Sequence, residues 1–216
     1  MNPHIPKKLV SMVTFLYLMI CLWLWIVPTM SLKDRQLETL EAIDLANELF
    51  TKHGYGDISD FMMGIAATES QLGKKTSEVS YSPFQIDPIR YEDIVQRTQD
   101  APSTPDVVEG GAALKRANLA NELLRSMGYG ENFDILGLSK NMDEIRNPVV
   151  GALLTRMSLA NIPEEVPTNT KQQAEYWKAY WNSEAGAGTP EHFINEKNYF
   201  NSLLNINTYD NTPLKD

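Results

Sequence analysis

The 216-residue chain holds a single cysteine, Cys21, and three scattered histidines, His4, His53 and His192. A lone thiol forms no internal disulfide, and no Cys/His spacing of a zinc site is present, so stapled and zinc-built folds are excluded and no metal is expected. Basic residues are also scarce: 19 Lys+Arg stand against 28 Asp+Glu, a formal net charge of -9. Such a balance lacks the positive footprint with which proteins track a phosphate backbone, so nucleic acid is not an expected partner. Glycine and proline, 12 each, are close to ordinary usage, which leaves neither collagen-like nor low-complexity character.

Charge itself is missing from one stretch. Between Leu9 and Leu32 there is no Asp, Glu, Lys or Arg, and only Ser11, Thr14, Pro28, Thr29 and Ser31 interrupt the apolar residues. As a helix this run extends about 36 Å, enough to cross a bilayer. Lys7 and Lys8 precede it and favour a cytoplasmic N-terminus, while Trp23 and Trp25 suit the far interface. The exit lacks a small-residue cleavage pattern, so a retained anchor is expected rather than a removed signal peptide. The expected organisation is a cytoplasmic tail over residues 1–8, a transmembrane signal anchor over 9–32, and a folded domain over 33–216 outside the cytoplasmic (inner) membrane. That domain loses only Lys7 and Lys8 from the basic count and carries a formal charge of about -11.

After Asp34 the apolar spacing is helical. Leu37, Leu40, Ile43, Leu45 and Leu49 form a first helix closed by Gly54, and Ser59 is positioned to cap a second, through Phe61, Ile65 and Leu72, stopped by Gly73. Asp87-Pro88, Asn147-Pro148 and Thr189-Pro190 each have the form of a cap followed by a first-turn proline, and Thr170 with Gln173 forms a capping-box pattern. Ala113 to Leu124 supplies one more helical period after the Pro- and Gly-punctuated segment 101–111. The fold class is all-α, with a short β turn within 75–86. One echo recurs: Leu45-Ala-Asn-Glu-Leu49 before Gly54-Tyr-Gly56, and Leu119-Ala-Asn-Glu-Leu123 before Gly128-Tyr-Gly130. With two copies only, reuse of a good helix end is the simpler reading than duplication.

Phe61, Ile65 and Glu69 are spaced by four, so a helix places the Glu69 carboxyl on an apolar side near its end. Desolvation there raises a carboxyl pKa, as a general acid requires, although a solvated last-turn glutamate satisfies the same spacing. Glu69-Ser70, then Ser82-Pro83-Phe84-Gln85-Ile86 with Pro88, then Asn147-Pro148 with Gly151, then Trp181-Asn182 with Gly186 and Gly188, follow one another in order. In these four elements the chain resembles the soluble-lytic-transglycosylase-like branch of the lysozyme superfamily, over roughly residues 58–193, and its closing variant looks most like bacteriophage members.

The resemblance implies a lysozyme-like transglycosylase domain acting on peptidoglycan glycan strands without a cofactor. Glu69 would be the single catalytic acid/base at the MurNAc-GlcNAc bond, with 1,6-anhydro-muropeptides as product, in phage-related lysis or wall remodelling. Ser70, Gln85, Tyr180 and Asn182 would contact substrate. The chain departs from the family at Ser82-Pro83, where a glycine and an apolar residue are usual, and at Trp181, which leaves either Tyr180 or Trp181 to line the cleft. A hydrolytic muramidase using Asp87 as a second carboxylate is an alternative, although an Asp before Pro is a preferred helix cap. A catalytically silent wall-binding module is another. The aromatic set Tyr176, Trp177, Tyr180 and Trp181 suits sugar stacking and core packing alike.

Overall fold

The computed structural model describes residues 32–75, 78, 81–100, 111–138, 142–183 and 186–210, with side chains described from 34 to 204 among these. The chain divides into two units, Met1–Leu32 and Lys33–Asp216. The expected anchor over 9–32 lies outside the described residues except for Leu32. Among the described residues no helix is long and apolar enough to cross a membrane.

The second unit is all-α. Its helices are α1 (Leu32–Thr51), α2 (Ser59–Ser70), α3 (Pro88–Gln99), α4 (Ala112–Ser126), a 3-10 turn Met142–Arg146, α5 (Pro148–Leu159), α6 (Thr170–Trp177), a π turn Lys178–Asn182, and α7 (Pro190–Asp210). The one ladder fragment among the described residues is an antiparallel bridge between Tyr81 and Ile86, closed by two hydrogen bonds of 2.8 Å. It falls where the β turn is expected.

α5 is buried on every side from Val150 to Met157, through Ala152, Leu153 and Leu154 and with Thr155 and Arg156 among the buried residues, so it forms an inner axis of the core. α2 contributes Phe61, Met62, Ile65 and Ala66, all fully buried, and α7 packs along α2 and α6. Gly64 makes the α2–α7 approach possible, because a Cβ there would collide with the Phe193 ring. The same helices are tied by Lys197, which is 1% exposed and reaches Asp60 and Gln173, each at 2.5 Å.

Several caps differ from expectation. α2 starts at Ser59, but the side chain that serves its first turn is Asp57, which accepts from the Ser59 N–H at 2.9 Å and the Ser59 hydroxyl at 2.7 Å. α6 is capped by Asn169, accepting from the N–H groups of Lys171 and Gln172, and not by Thr170. Gln173 is thereby released to join the buried Lys197–Asp60 group. α2 ends at Ser70, and the expected last residue Leu72 lies in the turn beyond it.

The echo is larger than the words that reveal it. Asn47 Nδ2 donates to Asp57 (2.9 Å) while Asn47 Oδ1 accepts from the Ile58 N–H (3.1 Å). Asn121 makes the same two bonds, to Asp134 (3.0 Å) and from Ile135 N–H (2.7 Å). Tyr55 N–H to Phe50 carbonyl and Tyr129 N–H to Leu124 carbonyl, both 3.1 Å, close the two helix ends alike. Helix end, glycine turn and following Asp-Ile are therefore one structural unit used twice, and reuse of a helix end alone understates it. Glu131, Asn132 and Phe133, present only in the second copy, offset the Asp-Ile pair and hide it from direct alignment.

Candidate active site

Glu69 is the penultimate residue of α2, half-buried, below which the helix stops abruptly. Gln71, Leu72 and Gly73 follow with φ of 54°, 58° and 83°, three successive left-handed residues of which two carry side chains. That conformation is costly for Gln and Leu and persists because the surroundings hold it. Thr39 and Gln36 of α1 donate to the Leu72 and Gln71 carbonyls at 3.1 and 3.2 Å.

Ser70 completes the brace from within. Its hydroxyl donates to the Pro83 carbonyl (2.6 Å) and accepts from the Gly73 N–H (2.7 Å), and the residue is fully buried. These bonds tie the end of α2 to the Tyr81–Ile86 turn. Ser70 therefore lies beneath the site, in a positioning role, and not on a surface that substrate reaches.

The turn itself accounts for the departure at Ser82. Ser82 has φ 67° and Gln85 φ 54°, so position 82 adopts the conformation that glycine would take there. Gly151 of α5 packs directly on Ser82, leaving no room for a Cβ. Phe84 and Ile86 are buried, and between them Gln85 is half-buried with no side-chain hydrogen bond among the described residues, which leaves its amide available to a ligand. Asp87 caps α3, accepting from the Arg90 N–H at 2.7 Å, so its carboxylate is committed to the backbone.

Opposite Glu69 stands α6. Trp177 Nε1 donates to Glu69 Oε1 at 3.1 Å, and the indole is otherwise buried, its ring centroid 5.6 Å from that of Phe193. Arg90 lies over the Trp181 ring, 4.2 Å from its centroid, and donates to the Trp181 carbonyl. Burial pushes the Glu69 carboxyl above its ordinary value, while the Trp177 bond and the Arg90 charge oppose the rise. Burial likewise lowers Arg90, against the charges of Asp87, Glu69 and Asp93.

The remaining expected residues are spread around this pair. Trp181 is buried under Arg90, whereas Tyr180 is 41% exposed and lies against Tyr176 with the rings tilted by 48° and their centroids 4.6 Å apart. Asn182 accepts from Lys178 Nζ at 2.9 Å, and the same ammonium holds the carbonyls of Ser183 and Gly186 at 2.8 Å each. Gly188 lies against Trp177 so closely that a Cβ would enter the indole. Asn182 and Gly188 thus organise the loop behind Trp177. Trp177 and Arg90 are the partners that sequence reading did not connect to Glu69; the aromatic cluster flagged the first, and no spacing pattern points to the second.

Compared with protein-family models, with curated proteins and with solved structures, the chain matches none.

Proposed function

We propose that the domain cleaves the MurNAc-GlcNAc bond of bacterial peptidoglycan as a lytic transglycosylase of lysozyme-like type, with Glu69 as its acid/base. The observation that carries this reading is the Glu69 carboxyl, desolvated at a helix end and oriented by the Trp177 indole. A carboxyl raised by burial stays protonated nearer to neutral pH and can protonate a glycosidic oxygen. The resulting carboxylate, steadied by Trp177 and Arg90, can then take the proton of the sugar's C6 hydroxyl as that oxygen closes on the anomeric carbon. One group serves both steps, so the commitment of Asp87 to capping α3 is compatible with the chemistry. The charge-free run 9–32 supports a signal anchor that holds the domain at the outer face of the cytoplasmic membrane, where a tether raises local concentration on an anionic polymer that long-range charge would not attract. A role in phage-related lysis or wall remodelling fits that placement.

The test is mass spectrometry of muropeptides released from purified peptidoglycan by the full-length chain and by Glu69→Gln. Anhydro products from the first and none from the second are expected. Reducing-end products would replace the transglycosylase by a hydrolytic muramidase, and glycan binding without cleavage at any pH would replace it by a wall-binding module.

A further inference from the structure

Trp181 is one of the positions at which the chain departs from the pattern it otherwise follows, and its surroundings give that departure a purpose. The residue lies in the π turn and is 3% exposed, so its ring offers substrate almost no surface. What it holds instead is Arg90. The Arg90 guanidinium lies 4.2 Å from the Trp181 ring centroid and donates through Nη2 to the Trp181 carbonyl. That carbonyl belongs to the last turn of a helix, where backbone acceptors lack partners within the helix. One side chain thus covers the ring and bonds the backbone of the same residue, a combination that suits a flat guanidinium and not an ammonium.

Three carboxylates face Arg90: Asp87, Glu69 and Asp93. Two of them are engaged elsewhere. Asp87 accepts from the Arg90 backbone N–H at 2.7 Å, and Asp93 accepts from Arg97 Nε at 2.8 Å. Glu69 is bonded to the neutral Trp177 indole, and Arg90 is the cation that faces it. Yet no hydrogen bond or ion pair joins Glu69 to Arg90 among the described residues, and the side-chain hydrogen bond of Arg90 goes to Trp181. The cation is near enough to act through its charge and is held back from contact.

That separation matters for an acid. A full charge favours the carboxylate over the protonated form, and it does so more strongly as the gap closes. In contact, a bidentate Arg–carboxylate pair would fix Glu69 as an anion with no proton to give. With no cation at all, the carboxylate left after proton donation would have the Trp177 dipole as its only support. A guanidinium held at an intermediate distance is compatible with both stages.

We propose that Trp181 is a stand-off for Arg90: its ring and carbonyl hold the guanidinium out of contact with Glu69 while leaving the charge to steady the carboxylate formed when Glu69 donates its proton. The inference rests on Glu69 as the acid, and it makes Arg90 and Trp181 positioning residues that act through Glu69.

The test is NMR titration of the Glu69 carboxyl in the full-length chain, beside pH–rate profiles of glycan cleavage. Removing the charge and removing the stand-off should move the carboxyl in opposite directions. In Arg90→Gln it should titrate at higher pH than in wild type. In Trp181→Leu the freed guanidinium should close on Glu69, so the carboxyl should titrate at lower pH, and adding Arg90→Gln to that variant should abolish the downward shift. Arg90→Lys keeps the charge and gives up the seat on the indole, so it too should shift Glu69 downward, and it decides the matter should loss of the indole unfold the domain. Both single Arg90 variants should lower kcat by about tenfold or more at neutral pH and leave KM nearly unchanged. An unmoved carboxyl in Arg90→Gln, no downward shift in either Trp181→Leu or Arg90→Lys, or a rise in KM with kcat intact would overturn the proposal. Opposite shifts in chains of which none cleaves glycan would uphold the stand-off and remove the proposed reaction instead.

Discussion

The Trp177 indole donates to the Glu69 carboxyl across the junction of α2 and α6, 3.1 Å from nitrogen to oxygen. A hydrogen bond from a fixed donor favours the carboxylate, so it opposes the upward push of burial and sets how far Glu69 is raised. Trp177→Phe keeps most of the packing and removes the donor. The carboxyl should then rise further, moving the alkaline limb of the cleavage profile to higher pH while the maximum rate falls by about tenfold or more, as loss of an orienting bond to a catalytic acid commonly does. Direct titration of the Glu69 carboxyl by NMR reads the same shift without relying on activity. An unchanged titration would show that the bond orients the indole and not the acid.

Glu69 also makes a stability prediction. Its folded-state pKa lies above its unfolded value, so between those two values the folded state holds the proton more tightly, and stability falls as pH rises through that interval. Above it the buried carboxylate is a standing cost. Glu69→Gln should therefore unfold a few degrees higher than wild type at pH 7, and the difference should shrink as pH is lowered and vanish below the unfolded carboxyl value of about 4.3. Thermal unfolding across the pH range checks this; an advantage for the variant that stayed constant down to pH 3 would show that the carboxyl charge is not its source.

Gly188 has a steric task. Its hydrogen lies against the Trp177 ring, and Gly186 is closed in by Asn182 in the same way. Gly188→Ala forces the indole to move, at a cost of about 1–3 kcal/mol for overpacking. Trp177 is then displaced from Glu69, so the variant should stay folded with a lower unfolding temperature, altered tryptophan fluorescence and an activity loss comparable with that of Trp177→Phe. Full activity with a wild-type fluorescence spectrum would show that the loop absorbs the methyl group instead.

Much of this arrangement is legible in the sequence because its signals are local. The cap-then-proline pairs Asp87-Pro88 and Asn147-Pro148 start α3 and α5, and both side chains accept the expected first-turn N–H. Period-four spacing identifies Glu69 as the carboxyl carried on an apolar face. The resemblance implies Ser70 as a substrate contact, but on the helix it turns inward, and its hydroxyl is taken by the Pro83 carbonyl. The link of Arg90 and Trp177 to Glu69 is absent from the sequence pattern for the opposite reason, although the aromatic cluster includes Trp177. Their relation to Glu69 exists only after α3 and α6 have docked, and no periodicity records a contact between residues 108 positions apart. Asn169 displaced Thr170 as cap because both are good cap residues and one position separates them, a distinction within the ordinary uncertainty of helix ends.

The repeated unit offers an internal control. Asn47 and Asn121 are 7% and 6% exposed, and each uses both ends of its amide to hold an Asp-Ile pair after a glycine turn. Replacing either by Ala leaves the Ile58 or Ile135 N–H without its acceptor, at about 1–3 kcal/mol for a buried donor. The two sites differ in what stands beyond the clamp. Asn47 fixes the start of α2, the helix that carries Glu69, whereas Asn121 fixes the Ile135 segment, whose carbonyl accepts from Tyr91 on α3 at 3.1 Å. Both variants should therefore lose similar stability, by a few degrees in unfolding temperature, but Asn47→Ala should lose more activity at a temperature where both remain folded. Equal residual activities would mean that α2 keeps its place without the clamp, held by Lys197 and the α7 packing alone.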